Sequence, residues 1–368
     1  MQIGVLKSQN TPLVPMAPSV AAKYIKDGYT VVVEKGAGEN SYFGDAQFEA
    51  AGATIANKAD ILSQSDILLV DTEISKEDLG KLKQDALVIG KFNILSNPAL
   101  ADEFKEEKNP IYSLDLVPRS SIAQSMDVLS SLASLAGYYA VVNSAANFSG
   151  YFPMMTTAAG TVPPAKVLIL GAGVAGLQAI ATARRLGASV EAFDVRSAVK
   201  EEVQSLGAKF VEVPGAKEDA GAGGYAVTQT EEYIQKQKEL IHEKASKADI
   251  VITTANIPGR KAPLLIEQRT VEAMQAGSVI VDMASASGGN CALSEDEKTI
   301  DVGGVTIIGD SRLHHSLPKE ASRLYSTNLY NFIKFILKEG VEGIPYEHEI
   351  VQKTLVTKSN QKSTETAE

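Results

Sequence analysis

The residues best suited to chemistry in this sequence form a glycine-rich turn after a short apolar segment. Lys166–Leu170 is followed by Gly171, Gly173 and Gly176, in the spacing G-x-G-x-x-G, and then by a helical pattern over residues 177–186. In such a turn the first glycine allows a tight bend, the second lets a pyrophosphate approach the backbone, and the third lets the helix lie against the strand. The free amides and the positive dipole end of the helix then face the phosphates. In this strand–helix context the spacing predicts a dinucleotide site.

An acidic residue stands where a dinucleotide site needs one for the ribose. Residues 189–194 form the next strand pattern, which ends in Asp194, 18 residues after Gly176. A carboxylate at this spacing accepts hydrogen bonds from the adenosine ribose hydroxyls and repels a 2′-phosphate, which favours NAD(H) over NADP(H). Arg196 leaves the other choice open, because a nearby arginine can hold that phosphate. The competing interpretation is a simple glycine-rich turn beside a solvated aspartate.

The turn belongs to an alternation of strand and helix patterns that runs along most of the chain. A first series occupies residues 2–114 and a second series residues 166–308. Such alternation indicates βαβ units and parallel sheets buried on both faces. We therefore predict an α/β protein of two Rossmann-like, doubly wound parallel-sheet domains, of which the second carries the fingerprint. The predicted organisation is residues 1–130 completed by 311–350, then residues 131–310, then a flexible polar tail over 351–368.

Composition and charge narrow the class of protein. The chain has 368 residues, 44% hydrophobic and 22% charged, which is typical of a folded soluble protein. Its formal net charge of −10 at pH 7 offers no basic surface for nucleic acid. A single cysteine, Cys291, excludes an intramolecular disulfide. Residues 128–165 carry no charge, but their serines, asparagines and Pro153 favour a buried helix, predicted over 121–148, rather than a transmembrane span.

Four further stretches make the sequence similar to a known family. Residues 118–131, 151–165, 223–226 and 288–291 resemble the NAD(H)-binding component (domain I, the alpha-1 subunit) of proton-translocating NAD(P) transhydrogenase, in the alanine dehydrogenase/transhydrogenase family. The resemblance covers nearly the whole chain up to about residue 337. It implies direct hydride transfer between NAD(H) held here and NADP(H) held by a partner subunit. Residues 284–287 depart from the commonest family pattern, which leaves their contacts open.

The resemblance also implies roles for individual residues. Contacts around the nicotinamide are expected from Arg119, Gln124, Asp127 and Ser130, and further cofactor contacts from Ser120, Ser121 and Ile122. Among these, Gln124, Asp127 and Arg119 are the implied catalytic residues, and Gln124 would also reach toward the partner nucleotide. The adenosine half would be held by Val174, Asp194, Val195 and Arg196, and a lid over residues 214–230 would close with Gly224 and Tyr225. The residue types alone also allow another interpretation, in which Asp127 forms a local ion pair with Arg119. Gln124 and Ser130 would then be ordinary groups on a helix surface.

The same resemblance distinguishes a transhydrogenase from a dehydrogenase. The family's alanine dehydrogenases hold and protonate their substrate with an N-terminal arginine, a lysine and a histidine. Here Leu13 stands at the arginine position, residues 71–73 offer no lysine, and residues 89–93 contain no histidine. Hydride exchange between two nicotinamides needs no general acid or base, so the missing set favours the transhydrogenase. An alanine dehydrogenase-like amino-acid dehydrogenase and a non-catalytic NAD(H)-binding module remain as alternatives.

The implied assembly has several partners. The resemblance points to an NADP(H)-binding subunit, a membrane-spanning subunit and a homodimer of this chain. It places the protein in the cytoplasm, attached peripherally to the inner membrane through those partners. No metal site is predicted.

Overall fold

The computed structural model describes residues 1–213, 230–257 and 259–358. The chain forms two compact units. The first consists of Met1–Leu132 together with Pro318–Glu368, and the second of Ala133–Leu317.

Strands and helices alternate along the chain. The strands are β1 (Gln2–Val5), β2 (Thr30–Glu34), β3 (Thr54–Ala56), β4 (Ile67–Leu69), β5 (Leu87–Gly90), β6 (Ile111–Ser113), β7 (Met155–Thr157), β8 (Gly160–Val162), β9 (Lys166–Leu170), β10 (Ser189–Phe193), β11 (Lys209–Val211), β12 (Ile250–Thr253), β13 (Val279–Asp282), β14 (Lys298–Val302) and β15 (Val305–Gly309). The helices are α1 (Pro18–Lys26), α2 (Asp45–Ala50), α3 (Lys58–Gln64), α4 (Lys76–Leu79), α5 (Pro98–Phe104), α6 (Val128–Asn147), α7 (Val174–Arg185), α8 (Lys200–Ser205), α9 (Glu231–Ala245), α10 (Gln268–Glu272), α11 (Pro318–Ile336) and α12 (Glu349–Thr354).

The first unit is built on a parallel sheet with the strand order β3-β2-β1-β4-β5-β6. Successive residues of one strand enter different hydrophobic clusters, since Val31 and Val33 of β2 lie in one cluster and Val32 lies in another. Both faces of the sheet are therefore covered, which is why its strands are continuous apolar runs. Helix α11 also packs in this unit, where the Tyr325 hydroxyl donates to the Val70 carbonyl oxygen at 3.0 Å.

The second unit repeats this plan around a sheet with the order β11-β10-β9-β12-β13-β15-β14. Its strands pair in parallel, except that the edge strand β14 runs antiparallel to β15. The strand order reverses between β9 and β12, the switch point outside which open α/β sheets bind ligands. Two doubly wound sheets confirm the predicted fold class.

A small hairpin in the second unit has no counterpart in the sequence predictions. Strands β7 and β8 pair only with each other, in a two-stranded antiparallel sheet, and all six of their residues are exposed. Tyr151 and Met154, just before β7, are 56% and 62% exposed. Met155 of β7 and Val162 of β8 are each 38% exposed, and exposed apolar side chains are common in protein–protein contacts.

Two sequence predictions are wrong in detail. The helix predicted over 121–148 begins only at Val128, because the Asp127 carboxylate accepts the Ser130 amide and so starts the helix there. Of the tail predicted to be flexible over 351–368, residues 359–368 lie outside the described residues, and residues 351–354 instead belong to α12, where Ile350 and Val351 are buried. Their apolar side chains were hidden in the polar average of the tail. Among the described residues, no helix is both long and apolar enough to cross a membrane.

Candidate functional site

The turn after β9 has a geometry at its first position that suits only glycine. Gly171 has φ +104°, in the region that side chains disfavour. A Cβ there would lie 2.6 Å from the Thr254 Oγ1 and 3.1 Å from the Ala255 backbone nitrogen. The Thr254 hydroxyl donates to the Gly171 carbonyl oxygen at 3.0 Å, so the segment after β12 fastens the turn. Thr254 was not predicted from sequence, because no local pattern links it to a glycine 83 positions earlier.

The other two glycines of the turn have opposite surroundings. A Cβ on Gly176 would lie 1.9 Å from the Gly171 carbonyl oxygen, so this position is closed by the backbone itself. A Cβ on Gly173 would meet nothing within 4 Å. Gly173 is also the N-cap of α7, with no side chain to accept from the first-turn amides, and Val174 beside it is 42% exposed. Open space above such a helix start is where an anion binds.

Asp194 lies against this turn and is bound from two sides. Its Oδ2 accepts the Ala172 backbone N–H at 2.7 Å. The Arg196 guanidinium holds both carboxylate oxygens, with Nε 2.9 Å from Oδ1 and Nη2 2.7 Å from Oδ2. The hydrogen bond to Asp194 raises the pKa of Arg196 above its ordinary value. The arginine that could have held a 2′-phosphate is therefore bound to the Asp194 carboxylate.

The carboxylate of Asp282, which like Thr254 was not predicted from the sequence, organises the loop after β13. Asp282 is fully buried and accepts hydrogen bonds from the hydroxyls of Thr253 and Ser294 and from the backbone amides of Ala284, Asn290 and Cys291. Its signal was the same as that of Asp194, an aspartate ending an apolar strand. Within the loop whose contacts stayed open, the Ser285 hydroxyl donates to the Asp296 carboxylate at 2.6 Å.

In the first unit, residues 118–127 form a surface segment before α6. A 3-10 turn spans Gln124–Met126, and Ile122 just before it is 63% exposed. The Ser120 backbone N–H donates to the Pro118 carbonyl oxygen at 2.9 Å. The exposed side chains of this segment belong to Arg119, Ser121, Ile122, Gln124 and Ser125. The segment therefore presents one cation and one amide to its surroundings.

Asp127 has a structural role at the start of α6. Its Oδ1 accepts the Ser130 backbone N–H at 2.9 Å, and its Oδ2 accepts the Ser130 hydroxyl at 2.6 Å. This is the geometry of a helix N-cap. Asp127 and Ser130 are therefore hydrogen-bonded to each other, and both are also candidates for contact with the cofactor.

We expect the Asp127→Ala variant to lower the free energy of unfolding by about 1 kcal/mol, the usual value of a lost N-cap. Asp127→Ser should retain most of the stability, because serine caps helices about as well. Urea unfolding of the two variants measures the difference. An equal loss of unfolding free energy in both variants would contradict the capping role. The effect of Asp127 on stability would then come from its negative charge alone.

The predicted site residues fall into three groups. Gly171, Gly173, Val174, Gly176 and Asp194, with Val195 and Arg196 directly after it, lie around one turn of the second unit. Arg119, Ser120, Ser121, Ile122, Gln124, Asp127 and Ser130 lie on one segment of the first unit. Gly224 and Tyr225 lie outside the described residues.

The described residues at the positions where the resemblance expects a dehydrogenase's arginine and histidine are of other types. Leu13 is buried, with 2% exposure. Lys91, after β5, is 8% exposed, and its Nζ lies 3.4 Å from the Asn93 Oδ1. Asp71, after β4, accepts a hydrogen bond from the Thr11 hydroxyl, and burial raises the pKa of this carboxyl against the opposing charge of Lys91.

Each histidine has a local contact of its own. The His242 Nδ1 lies 3.0 Å from the Thr270 hydroxyl, and the His348 Nδ1 accepts the Ile350 backbone N–H at the start of α12. The His314 and His315 rings meet edge to face, with centroids 4.5 Å apart.

Comparison with known proteins adds a family and close relatives. The models of the alanine dehydrogenase/PNT N-terminal and C-terminal domains match residues 7–136 and 140–365. The chain is 41% identical over 366 residues to NAD(P) transhydrogenase subunit alpha of Haemophilus influenzae, covering 98% of this chain and 71% of that one. The crystal structure of transhydrogenase from Sinorhizobium meliloti is 40% identical, with a TM-score of 0.87 over 97% of this chain and 98% of that one. An L-alanine dehydrogenase, 23% identical with a TM-score of 0.78 over 96% of this chain and 94% of that one, shares the fold.

Proposed function

The chain belongs to the alanine dehydrogenase/PNT family, and from this premise we propose that it is the NAD(H)-binding subunit of a proton-translocating NAD(P) transhydrogenase. Hydride passes directly between NAD(H) on this chain and NADP(H) on a partner subunit, and a membrane-spanning partner couples the transfer to proton translocation. The observation that carries the proposal is the open space at Gly173 above the start of α7, which fits a pyrophosphate.

The adenosine half of the cofactor is assigned to the second unit. Asp194 accepts hydrogen bonds from the ribose hydroxyls, while Arg196 fixes the orientation of the carboxylate. Val174, which is partly exposed at the first turn of α7, and Val195 next to Asp194 offer apolar contact near the adenosine. Gly224 and Tyr225 are assigned to a lid over the cofactor on the resemblance alone.

The nicotinamide half is assigned to the segment of the first unit that begins after Pro118. Arg119, Gln124, Asp127 and Ser130 orient the ring, with further contacts from Ser120, Ser121 and Ile122. Bound NAD(H) supplies the hydride at C4 of its ring. The chain's part is to hold that carbon against the partner's ring, at about 3–3.5 Å, and to exclude water.

No proton needs to be exchanged with the chain in this reaction, because neither nicotinamide ring gains or loses one. A reaction without proton exchange agrees with two observations. Leu13 is buried at the arginine position, and the four histidines make contacts elsewhere. Such a reaction also gives Asp71 and Lys91 no part in the chemistry.

The proposal is tested by mixing this protein with a transhydrogenase NADP(H)-binding subunit loaded with NADP⁺, adding NADH and following NADPH. We expect NADPH to form only when both proteins are present. If this protein alone oxidises NADH with pyruvate and ammonium, it is an amino-acid dehydrogenase. If it binds NADH and does neither, it is a non-catalytic NAD(H)-binding module.

Asp194 should make the site prefer NADH over NADPH. By calorimetry, wild-type protein should bind NADH at least roughly tenfold more tightly than NADPH, because the carboxylate repels a 2′-phosphate. In the Asp194→Asn variant the preference should shrink, because the negative charge is gone and Arg196 is released. Asp249→Asn is a matched control, since Asp249 also accepts a backbone amide, that of Lys166 at the other end of β9. Tighter NADPH than NADH binding in the wild type would remove Asp194 from this role.

Homodimer formation and attachment to a membrane complete the proposal. The exposed apolar side chains on and before the hairpin β7–β8, those of Tyr151, Met154, Met155 and Val162, support association with a second copy. Light scattering should give twice the 39.0 kDa mass of the chain. The protein lies on the cytoplasmic face of a membrane, held by its partner subunits.

A further inference from the structure

The surface turn that carries Gln124 is fastened from a distant helix. We propose that Asn328 and Asn331 of α11 are positioning residues that hold Gln124 in its orientation for hydride transfer, an inference that rests on the proposed function. The pair, here called the asparagine clamp, touches no reacting atom and acts through the backbone of the turn.

The clamp is defined by two hydrogen bonds to one oxygen. The Nδ2 groups of Asn328 and Asn331 donate to the Ser125 carbonyl oxygen at 2.9 and 3.0 Å. Residues three apart on a helix share a face, so both amides reach the same point. That point is one residue after Gln124 and two before Asp127.

The turn has few other bonds to fix its direction. Its own backbone contributes three bonds among the described residues: the Ala123 N–H to the Ser120 carbonyl oxygen at 3.1 Å, the Met126 N–H to the Ala123 oxygen at 2.8 Å and the longer Asp127 N–H to the Gln124 oxygen at 3.4 Å. The Ala123 and Met126 side chains are buried below it, whereas Gln124 itself is exposed. Burial therefore sets the depth of the turn, and the clamp sets its rotation and hence where the Gln124 amide points.

Packing alone does not account for Asn328. It is 5% exposed, on a helix face that otherwise buries Tyr325, Leu329 and Phe332. Its Oδ1 is buried and has no hydrogen-bond partner among the described residues. An unpaired buried acceptor is unfavourable, and an apolar side chain of similar size would avoid that cost. In the part of the chain that the structure describes, the bond to the Ser125 carbonyl oxygen is the one contact that calls for an amide here.

The decisive variant is Asn328→Leu combined with Asn331→Ala. It removes both donors and the unpaired acceptor together, so the thermal midpoint should not fall markedly. Interprotein hydride transfer should slow by roughly tenfold because the Gln124 amide is displaced. NADH affinity should stay within roughly twofold, since the adenosine half binds in the second unit. Thr327→Ala is the control on the same helix, where the hydroxyl donates to the Arg323 carbonyl oxygen of α11 itself, and it should leave transfer unchanged.

A double-mutant comparison distinguishes positioning from general damage. In a Gln124→Asn background the clamp variant should slow transfer little further, because both changes act on one side chain. Multiplication of the two effects, or an unchanged rate in the clamp variant, would overturn the proposal.

Amide hydrogen exchange provides a readout that does not depend on the activity. The Met126 and Asp127 amides should exchange faster in the clamp variant than in Thr327→Ala, and equal rates would overturn the proposal. If wild-type protein transferred no hydride at all, the proposed function would fail, and exchange alone would then decide whether the clamp holds the turn.

Discussion

Replacing Gln124 by Asn should slow hydride transfer to the partner's NADP⁺ by roughly a hundredfold, with NADH affinity changed only a few-fold. The substitution keeps the amide and removes one methylene, so the amide is withdrawn by about 1 Å. A misplacement of about this size can lower a reaction rate by roughly a hundredfold. Gln124 is exposed on its 3-10 turn and so is free to meet both ring and partner. Stopped-flow measurement of NADPH formation gives the rate, and calorimetry gives the affinity.

Gln235→Asn is the matched control for this prediction. Gln235 lies on α9 and donates to Glu239 on the surface, so the same loss of a methylene there should leave the transfer rate unchanged. Equal rates for wild type and Gln124→Asn would remove Gln124 from the transfer site.

The glycines of the turn after β9 should respond in opposite ways to one added methyl group. Gly176→Ala should lower the free energy of unfolding by at least about 3 kcal/mol, because its Cβ would collide with the Gly171 carbonyl oxygen. Gly173→Ala should unfold like the wild type, since its Cβ enters open space. It should nevertheless weaken NADH binding by at least roughly tenfold, because that space is assigned to the pyrophosphate. Denaturant unfolding and calorimetry on both variants separate these effects.

Gly44→Ala is a close control for Gly173→Ala. Gly44 is also a helix N-cap, of α2, and a Cβ there likewise meets nothing within 4 Å. Its substitution should change neither stability nor affinity. If Gly173→Ala bound NADH as the wild type does, the pyrophosphate would have to lie elsewhere.

The fold could be predicted well because its signals are local. Apolar runs separated by helical patterns indicate buried parallel strands, and both sheets follow that plan. Short or atypical elements were missed, such as β3, the hairpin β7–β8 and the antiparallel edge strand β14. The start of α6 was misplaced because an uncharged helical pattern continues upstream of Asp127, whose capping bond decides the boundary.

The candidate site was predictable only where its residues follow one another along the chain. The spacing between the Gly171 turn and Asp194 in the sequence predicts that the two lie close together. The hydrogen bond from the Ala172 backbone N–H to the Asp194 carboxylate agrees with that prediction. Thr254 and the asparagine clamp act across 83 and 203 positions, where no spacing rule applies. Asp282 carried the same strand-end signal as Asp194, but its donors come from a loop whose course only the folded chain defines.

The most direct test of hydride transfer without proton exchange follows a deuterium label from NADH to NADPH. NADH deuterated at the transferred C4 position is mixed with this protein and an NADP⁺-loaded partner subunit in ordinary water. Direct transfer without proton exchange predicts that the NADPH formed carries the deuterium in full. NADPH without deuterium, with the label released into water, would contradict the account, because the hydrogen would then have passed through a group that exchanges with solvent.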